Sequence, residues 1–235
     1  MDTKSFKRAW MISDIHFGVR SSSLEWLDIH KEYFYDFFIP TLKQNKQDGD
    51  VLLVLGDVFD SRQYINILIM NEALEIFKAI NDILPIIMIV GNHDIYRKQT
   101  NTINSLEIFR NLKDIKILTD TEVIKFKNAT GLFLPWQDTH ELEVAEILKA
   151  GTADYLFCHT EMTGFKYNKQ VLLENGLDTN ALSAFKKVYT GHIHYAQKQK
   201  NIRMIGCPMQ LTRSDIGNEK SLWLLDIDKN EETQF

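Results

Sequence analysis

The sequence predicts an α/β protein in which two mixed β-sheets pack face to face with helices on the outside. Three observations carry that prediction. In the first half, short β-rich runs alternate with amphipathic stretches: Ala9 to Ser13 then Leu24 to Leu42, Val51 to Leu55 then Tyr64 to Ile83, Ile86 to Val90 then Thr102 to Leu112. The second half is denser in strands, with Ile115 to Leu118, Glu122 to Phe126, Leu132 to Leu134, Tyr155 to Cys158, Val188 to Thr190, Ile202 to Ile205 and Leu222 to Ile227. No repeat, low-complexity tract or Pro/Gly-rich linker divides the chain, so residues 1–235 are expected to form one domain.

Each element has a local reason. The strands are runs of Val, Ile, Leu and aromatic residues, whose side chains fit a pleated, buried surface. The stretches Leu24 to Leu42 and Tyr64 to Ile83 carry apolar residues on more than one helical stripe, including Trp26, Phe34, Phe38, Leu68, Ile69 and Phe77. A helix covering one sheet needs only one such face, so a partner on the second face is a competing expectation to simple burial. His30 and His140 lie in helix-like segments and read as structural or surface residues. Lys198, Lys200 and Arg203 alternate along a hairpin and read as a solvated strand face. Lys229 to Gln234 is polar and reads as a fraying end.

Composition excludes several classes. The longest apolar runs fall short of the roughly 18 residues of a membrane span, and the polar start, Met1 to Arg8, is no signal peptide, so a cytoplasmic protein with no membrane contact is expected. Cys158 and Cys207 are too few for a disulfide framework and lack paired zinc spacing; Cys158, next to His159 in an extended run, should point away from it into the core. The net charge of −5 is unusual for a nucleic-acid binder. It decides little, because acidic residues that hold divalent cations lose their negative field to the metal.

Five segments place metal-ligand side chains directly after apolar strands: Asp14-Ile15-His16, Gly56-Asp57, Gly91-Asn92-His93-Asp94, His159 and Gly191-His192-Ile193-His194. Each has an ordinary reading alone, as a turn or a structural histidine. Together they gather imidazole, carboxylate and amide oxygen at strand ends, a donor set suited to Mn²⁺, Mg²⁺, Fe or Zn²⁺ and without the thiolates of a structural zinc site.

In this order the motifs resemble those of the calcineurin-like metallophosphoesterases, whose fold is a two-sheet sandwich between helices. Ser13 to Gly18, Gly56 to Asp60, Leu134-Pro135-Trp136, His159-Thr160-Glu161, Gly164-Phe165 and Gly206-Cys207-Pro208 further resemble the SbcD-type DNA double-strand-break repair nucleases and their phage relatives. The resemblance implies two divalent metal ions, Mn²⁺ first among them. Asp14, His16, Asp57 and His194 would hold one, Asp57, Asn92, His159 and His192 the other, with Asp57 shared. It also implies in-line attack by an activated water, with His93 facing the phosphate and steadying or protonating the leaving oxygen, and Asp94 orienting His93 or acting only as a helix cap. Where some members carry a second histidine after the Gly-Asp motif this chain has Asp60, as bacterial-type members do, which leaves the role of that position open.

The expected activity is therefore metal-dependent cleavage of DNA, as exonuclease, endonuclease or both, in repair or recombination. The resemblance adds two partners besides DNA: an SbcC-type coiled-coil ATPase, and a second copy of the chain meeting it through helices 24–42 and 64–83. Arg20, Arg62, Arg97 and Lys98 lie near the loops where a DNA backbone would run, unless they are simply solvated. Only 41 residues follow His194, so the family's DNA-binding cap and ATPase-docking segment are expected to be absent. That opens a first alternative, a stand-alone phosphoesterase for a nucleotide or other small ester. A non-catalytic interaction module on the same fold is the second, although such decay should remove ligands and none is missing.

Overall fold

A computed structural model describes residues 2–235. In chain order the strands are β1 (Arg8–Ile12), β2 (Asp50–Leu55), β3 (Ile86–Ile89), β4 (Ile95–Arg97), β5 (Thr100–Asn104), β6 (Ile115–Leu118), β7 (Glu122–Lys125), β8 (Thr130–Leu134), β9 (Tyr155–His159), β10 (Lys187–Gly191), β11 (Gln197–Gln199), β12 (Ile202–Met204), β13 (Trp223–Asp226) and β14 (Glu231–Gln234). They form two six-stranded mixed sheets, β14-β13-β1-β2-β3-β6 and β11-β12-β10-β9-β8-β7, with β4 and β5 as a separate hairpin. Four neighbouring strands in each sheet are parallel, β1-β2-β3-β6 in the first and β12-β10-β9-β8 in the second. The antiparallel strands lie toward the edges.

The period of two along each strand builds three layers of core. Ala9, Met11, Leu53 and Leu55 point between the sheets and meet Phe133, Phe157, Tyr189 and Leu225. There Phe157 stacks on Phe133 at 5.0 Å and on Tyr189 at 5.7 Å between ring centroids. The alternate residues Trp10, Ile12, Leu52 and Val54 point outward against Phe34, Phe38, Ile69, Ile76 and Phe77 of the helices. On the far side Leu156, Cys158 and Met204 pack beneath Val144 and Ile147. Cys158 is thus fully buried on the face away from His159's neighbours, and burial pushes its thiol well above the usual range.

The two expected helices form, with boundaries set by their caps. The first runs from Leu24 through a π-helical segment, Tyr33–Phe38, to Asn45, and Ser23 accepts from Trp26 N–H at its start. The second is Ile67–Asn81, with Asn66 accepting from Leu68 N–H. A further helix, His140–Ala150, covers the second sheet and is capped by Thr139. No helix is long and apolar enough to cross a membrane among the described residues.

Three expectations are corrected. Thr102 to Leu112 is not an amphipathic helix: its first residues pair in the β4–β5 hairpin, and only Ser105–Phe109 turns, as a 3-10 helix. The Thr and Asn residues there hydrogen-bond locally and to loops, Asn101 Nδ2 reaching the Thr119 and Trp136 carbonyls, which competes with helix formation. Lys229 to Gln234 does not fray: most of it is β14, paired with β13. Its Glu232 accepts from Arg203 and Lys198, and Arg203 also lies 3.8 Å over the Trp223 ring. The Lys198–Arg203 strand face is therefore ion-paired to the other sheet rather than merely solvated.

One buried ion pair ties β1 to β2. Asp50, 4% exposed, accepts from Arg8 Nε and Nη2, from Trp10 Nε1 and from Gln47 N–H. Asp50→Ala should leave these donors unpaired and cost about 3 to 5 kcal/mol. Thermal unfolding of the metal-free protein should show a midpoint roughly 10 °C lower.

Candidate metal centre

All the motif residues emerge from carboxyl ends of parallel strands: Asp14 and His16 after β1, Asp57 after β2, Asn92 and His93 after β3, His159 as the last residue of β9, His192 and His194 after β10. Ligand sites favour this edge of α/β sheets, since loops there leave the sheet with their ends converging. The first sheet supplies Asp14, His16, Asp57, Asn92 and His93; the second supplies His159, His192 and His194. The centre therefore exists only where the two sheets meet.

The backbone is held there in conformations that side chains rarely adopt. Asp14, His16, Asp57 and His192 have φ of 54°, 53°, 54° and 77°. Each costs about 1 to 3 kcal/mol and persists only where its surroundings over-determine it, and such clusters mark functional sites. The surroundings do so here. Past the strand ends the loops stay zipped, with Asp14 N–H donating to Gly56 O, His16 N–H to Asp57 O and Phe17 N–H to Val58 O. The Asp57 carboxylate sits directly on Gly91, where a Cβ would collide with it, so the glycine of the third motif is required by contact.

Side-chain hydrogen bonds then fix which atoms face the centre. His159 Nδ1 lies 2.6 Å from the Leu55 carbonyl, so its N–H points away and Nε2 faces inward, 3.3 Å from Asp57 Oδ2 and 3.0 Å from Asn92 Oδ1. His192 Nδ1 lies 2.8 Å from the same Asn92 oxygen. His16 Nε2 is 3.1 Å from His194 Nε2 and 3.7 Å from Asp57 Oδ2. Asp14 accepts from His192 N–H and Asp57 from His93 N–H, anchoring each carboxylate. Ligand atoms of Asp14, His16 and His194 lie within 4.8 Å of one another, as do those of Asp57, His159 and His192.

Two carboxylates, an amide oxygen and converging imidazole nitrogens fit divalent cations, and Asp14, His16, Asp57, Asn92, His159, His192 and His194 could hold them. Their electrostatics agree. Burial, and then His159, lower the His192 imidazole to about 3, keeping it neutral. At His159 burial opposes the charged ring, yet Asp57 beside it holds it up at about 9; at His194 burial is likewise outweighed, by Asp215 foremost, and the ring is raised to about 11. Protons thus occupy nitrogens that a cation would need.

Asp94 differs from both readings taken from the sequence. It neither reaches His93 nor caps a helix: its two oxygens accept from the N–H groups of Gly91, Asp57, Val58 and Phe59. It locks the loop that bears Asp57. His93 is oriented instead by the Asp60 carbonyl, 2.6 Å from its Nδ1. The side chain of Asp60, open in the sequence, stands 3.3 Å behind His16 Nδ1.

Asp215 was missed. It is buried, accepts from Leu211 N–H, Thr212 N–H and Thr212 Oγ1, pairs with Lys220, and lies 3.9 Å behind His194 Nδ1. The Thr212-x-x-Asp215 capping-box pattern was the available signal. Each imidazole at this end thus has a carboxylate at its back. His30, read as structural, buttresses the first loop by reaching the Ile15 carbonyl at 2.8 Å. Of the four basic residues flagged near the loops, Arg20 is occupied with the Leu211 carbonyl, Arg97 and Lys98 sit on the β4–β5 hairpin, and Arg62 lies beside His93.

Residues 7–223 match the calcineurin-like phosphoesterase family, and the chain belongs to it. The family implies divalent metal ions and a metal-dependent phosphoesterase. The chain is 28% identical over 228 residues to exonuclease subunit 1 of Enterobacteria phage T4, covering 95% of this chain and 66% of that protein. Similar solved structures include an archaeal phosphodiesterase, 15% identical at a TM-score of 0.47 over 97% of this chain and 98% of the other. The calcineurin-like phosphoesterase YfkN from Bacillus subtilis is 13% identical at a TM-score of 0.48, over 94% and 84%. The assignment rests on the family match, not on these structures.

Two outcomes follow from the geometry. Asp215→Ala should weaken divalent-cation binding through His194 about 10- to 100-fold, read as a displaced step in calorimetric Mn²⁺ titration of metal-free protein. Cation binding should release protons at pH 7 and progressively fewer as pH passes about 9, seen as a buffer-dependent heat. In the metal-free state the raised His159 contributes stability that is complete below its unfolded value of about 6.5 and lost as pH rises through about 9.

Proposed function

We propose that the chain is a dinuclear phosphodiesterase that cleaves DNA, with Mn²⁺ as the preferred metal. The observation that carries this reading is the position of Asp57: one buried carboxylate faces His16 from the first ligand group and His159 from the second. A carboxylate shared in this way suits a pair of cations, which when bound supply Lewis acidity toward phosphoryl oxygens and toward water. The name of the phage relative, an exonuclease subunit, supports a nucleic acid as the substrate; DNA, and repair or recombination as the setting, come from the motif resemblance.

The chain's own residues do the rest. Asp14, His16, Asp57 and His194 form one ligand set, and Asp57, Asn92, His159 and His192 the other. His93 lines the 250 Å³ cleft over them. Its Nδ1 is committed to the Asp60 carbonyl, so Nε2 is the nitrogen left to hold a proton against the leaving oxygen. Asp94 acts at one remove, keeping Asp57 in its strained conformation. Residues 1–235 serve as one catalytic domain.

A subunit's relative invites partners. The helix faces leave Leu24, Ile29, Ile67 and Leu68 exposed, with Tyr64 just before the second helix, and a second copy of the chain is the proposed cover; light scattering in the micromolar range should give twice the chain mass. A coiled-coil ATPase of the SbcC type is the proposed larger partner, to be recovered by affinity capture.

Hydrolysis of labelled DNA should require Mn²⁺ and stop with chelator; turnover of a chromogenic phosphodiester without DNA cleavage would move the substrate to small esters. His93→Asn should lower kcat at least 100-fold with metal content near normal, whereas Asp57→Ala should lose both metals by elemental analysis.

A further inference from the structure

The cleft over the metal centre adjoins two further depressions. Asp60 and His93 line the cleft and also a neighbouring groove with Ser61, Arg62 and Gln63. Ser214 lines the cleft and also a groove of 280 Å³ with Asn168, Lys169 and Arg213. The shared residues make three depressions adjoin, with Arg62 in the groove next to Asp60 and His93 and with Lys169 and Arg213 in the groove next to Ser214.

Three of the seven arginines are held by carboxylates. Arg8, Arg110 and Arg203 hold Asp50, Glu107 and Glu232. Among the described residues Arg62, Lys169 and Arg213 make no ion pair. Lys169 and Arg213 come from separate loops brought together by packing: a Cβ on Gly217, four residues after Arg213, would lie 2.5 Å from Lys169 Nζ. Two like charges assembled from distant segments without a carboxylate, in a chain of net charge −5, are placed for an external anion.

Between them and the centre stands Tyr167. It lines the cleft itself and is 53% exposed. A tight hairpin presents it: Tyr167 N–H donates to Val171 O at 2.9 Å, Leu173 N–H to Phe165 O at 2.7 Å, and Asn168 Oδ1 accepts from Gln170 and Val171 N–H at the turn. An exposed aromatic ring on a fixed support, next to unpaired cations and a phosphoester centre, has the parts of a stacking platform.

We infer that the adjoining depressions are a track for a single nucleic-acid strand. Tyr167 stacks the base beside the scissile phosphate, Lys169 and Arg213 hold the phosphates beyond it, and Arg62 contacts the backbone from the other groove. The inference rests on the nuclease reading and narrows it to unpaired DNA, because the ring needs a free base face and a base stacked inside a duplex offers none.

The test uses the full chain with Mn²⁺, a single-stranded oligonucleotide of about ten nucleotides, the matching duplex and a chromogenic phosphodiester; the track size is on the order of one small single-strand site. The double variant Lys169→Ala/Arg213→Ala should raise KM for the single strand about tenfold or more. It should flatten the dependence of log binding on log salt by about 1.4, two phosphates at roughly 0.7 each, with kcat and ester hydrolysis unchanged. Tyr167→Ala should raise KM between about fivefold and a hundredfold, and Tyr167→Phe should restore it. Unchanged KM and salt slope in these variants, or equal losses on the duplex, would overturn the track. Anisotropy of a labelled phosphorothioate strand reads the same variants without cleavage. A wild-type protein that hydrolyses the ester but not DNA would therefore sink the nuclease reading, while unaltered strand binding in the variants would sink this one.

Discussion

Everything at the metal centre depends on one carboxylate being held where a carboxylate does not readily go. Asp57 is buried, sits at a positive φ, presses on Gly91 and faces imidazoles from both sheets. Burial alone would favour its neutral form, but His159, His16 and His93 around it hold it ionised, well below the ordinary carboxylate range. The Asp94 hydrogen bonds, the Gly91 contact and the zipped loops after β1 and β2 are all conditions for that placement. The glycines and the second aspartate of the motifs serve the position of Asp57 as much as any chemistry of their own.

The same constraint explains how charge is used. Protons sit on His159 and His194 in the metal-free protein because carboxylates face them, while His192, between buried neighbours, stays neutral. The centre is thus a set of donors already paired with positive charge, and a cation replaces one kind of positive charge with another. The overall charge of −5 describes the chain's surface and its ligands together, and so predicted little about an anionic substrate.

Much of this was legible before any coordinates. Strand positions followed from runs of β-branched and aromatic residues buried on both faces, a signal that holds for parallel strands wherever the sheet lies. The ligand-type residues stood out because each follows such a run, and the fold gathers them. What was not legible depends on contacts distant in sequence or on backbone atoms. The Asp60 carbonyl orients His93, and any residue has a carbonyl. Asp215 reaches His194 across a loop whose path no periodicity reveals. The Thr/Asn-rich segment at 100–104 became a hairpin because its side chains bond to loops far along the chain, and β14, polar throughout, is a strand because Arg203 and Lys198 wait for Glu232.

That last contact has a mechanical meaning. The sheets meet along two flanks. On one, the chain passes from β6, at the rim of the first sheet, to β7, at the rim of the second, through Thr119 to Thr121, so the join is covalent and short. On the other, the join is Glu232 on β14 gripping Arg203 and Lys198 of β12 and β11. The molecule is bound like a book, with a spine of peptide and a clasp of charge. Because the candidate ligands are shared between the two covers, whatever holds the covers together, the core between them as much as spine and clasp, also holds His159 against Asp57.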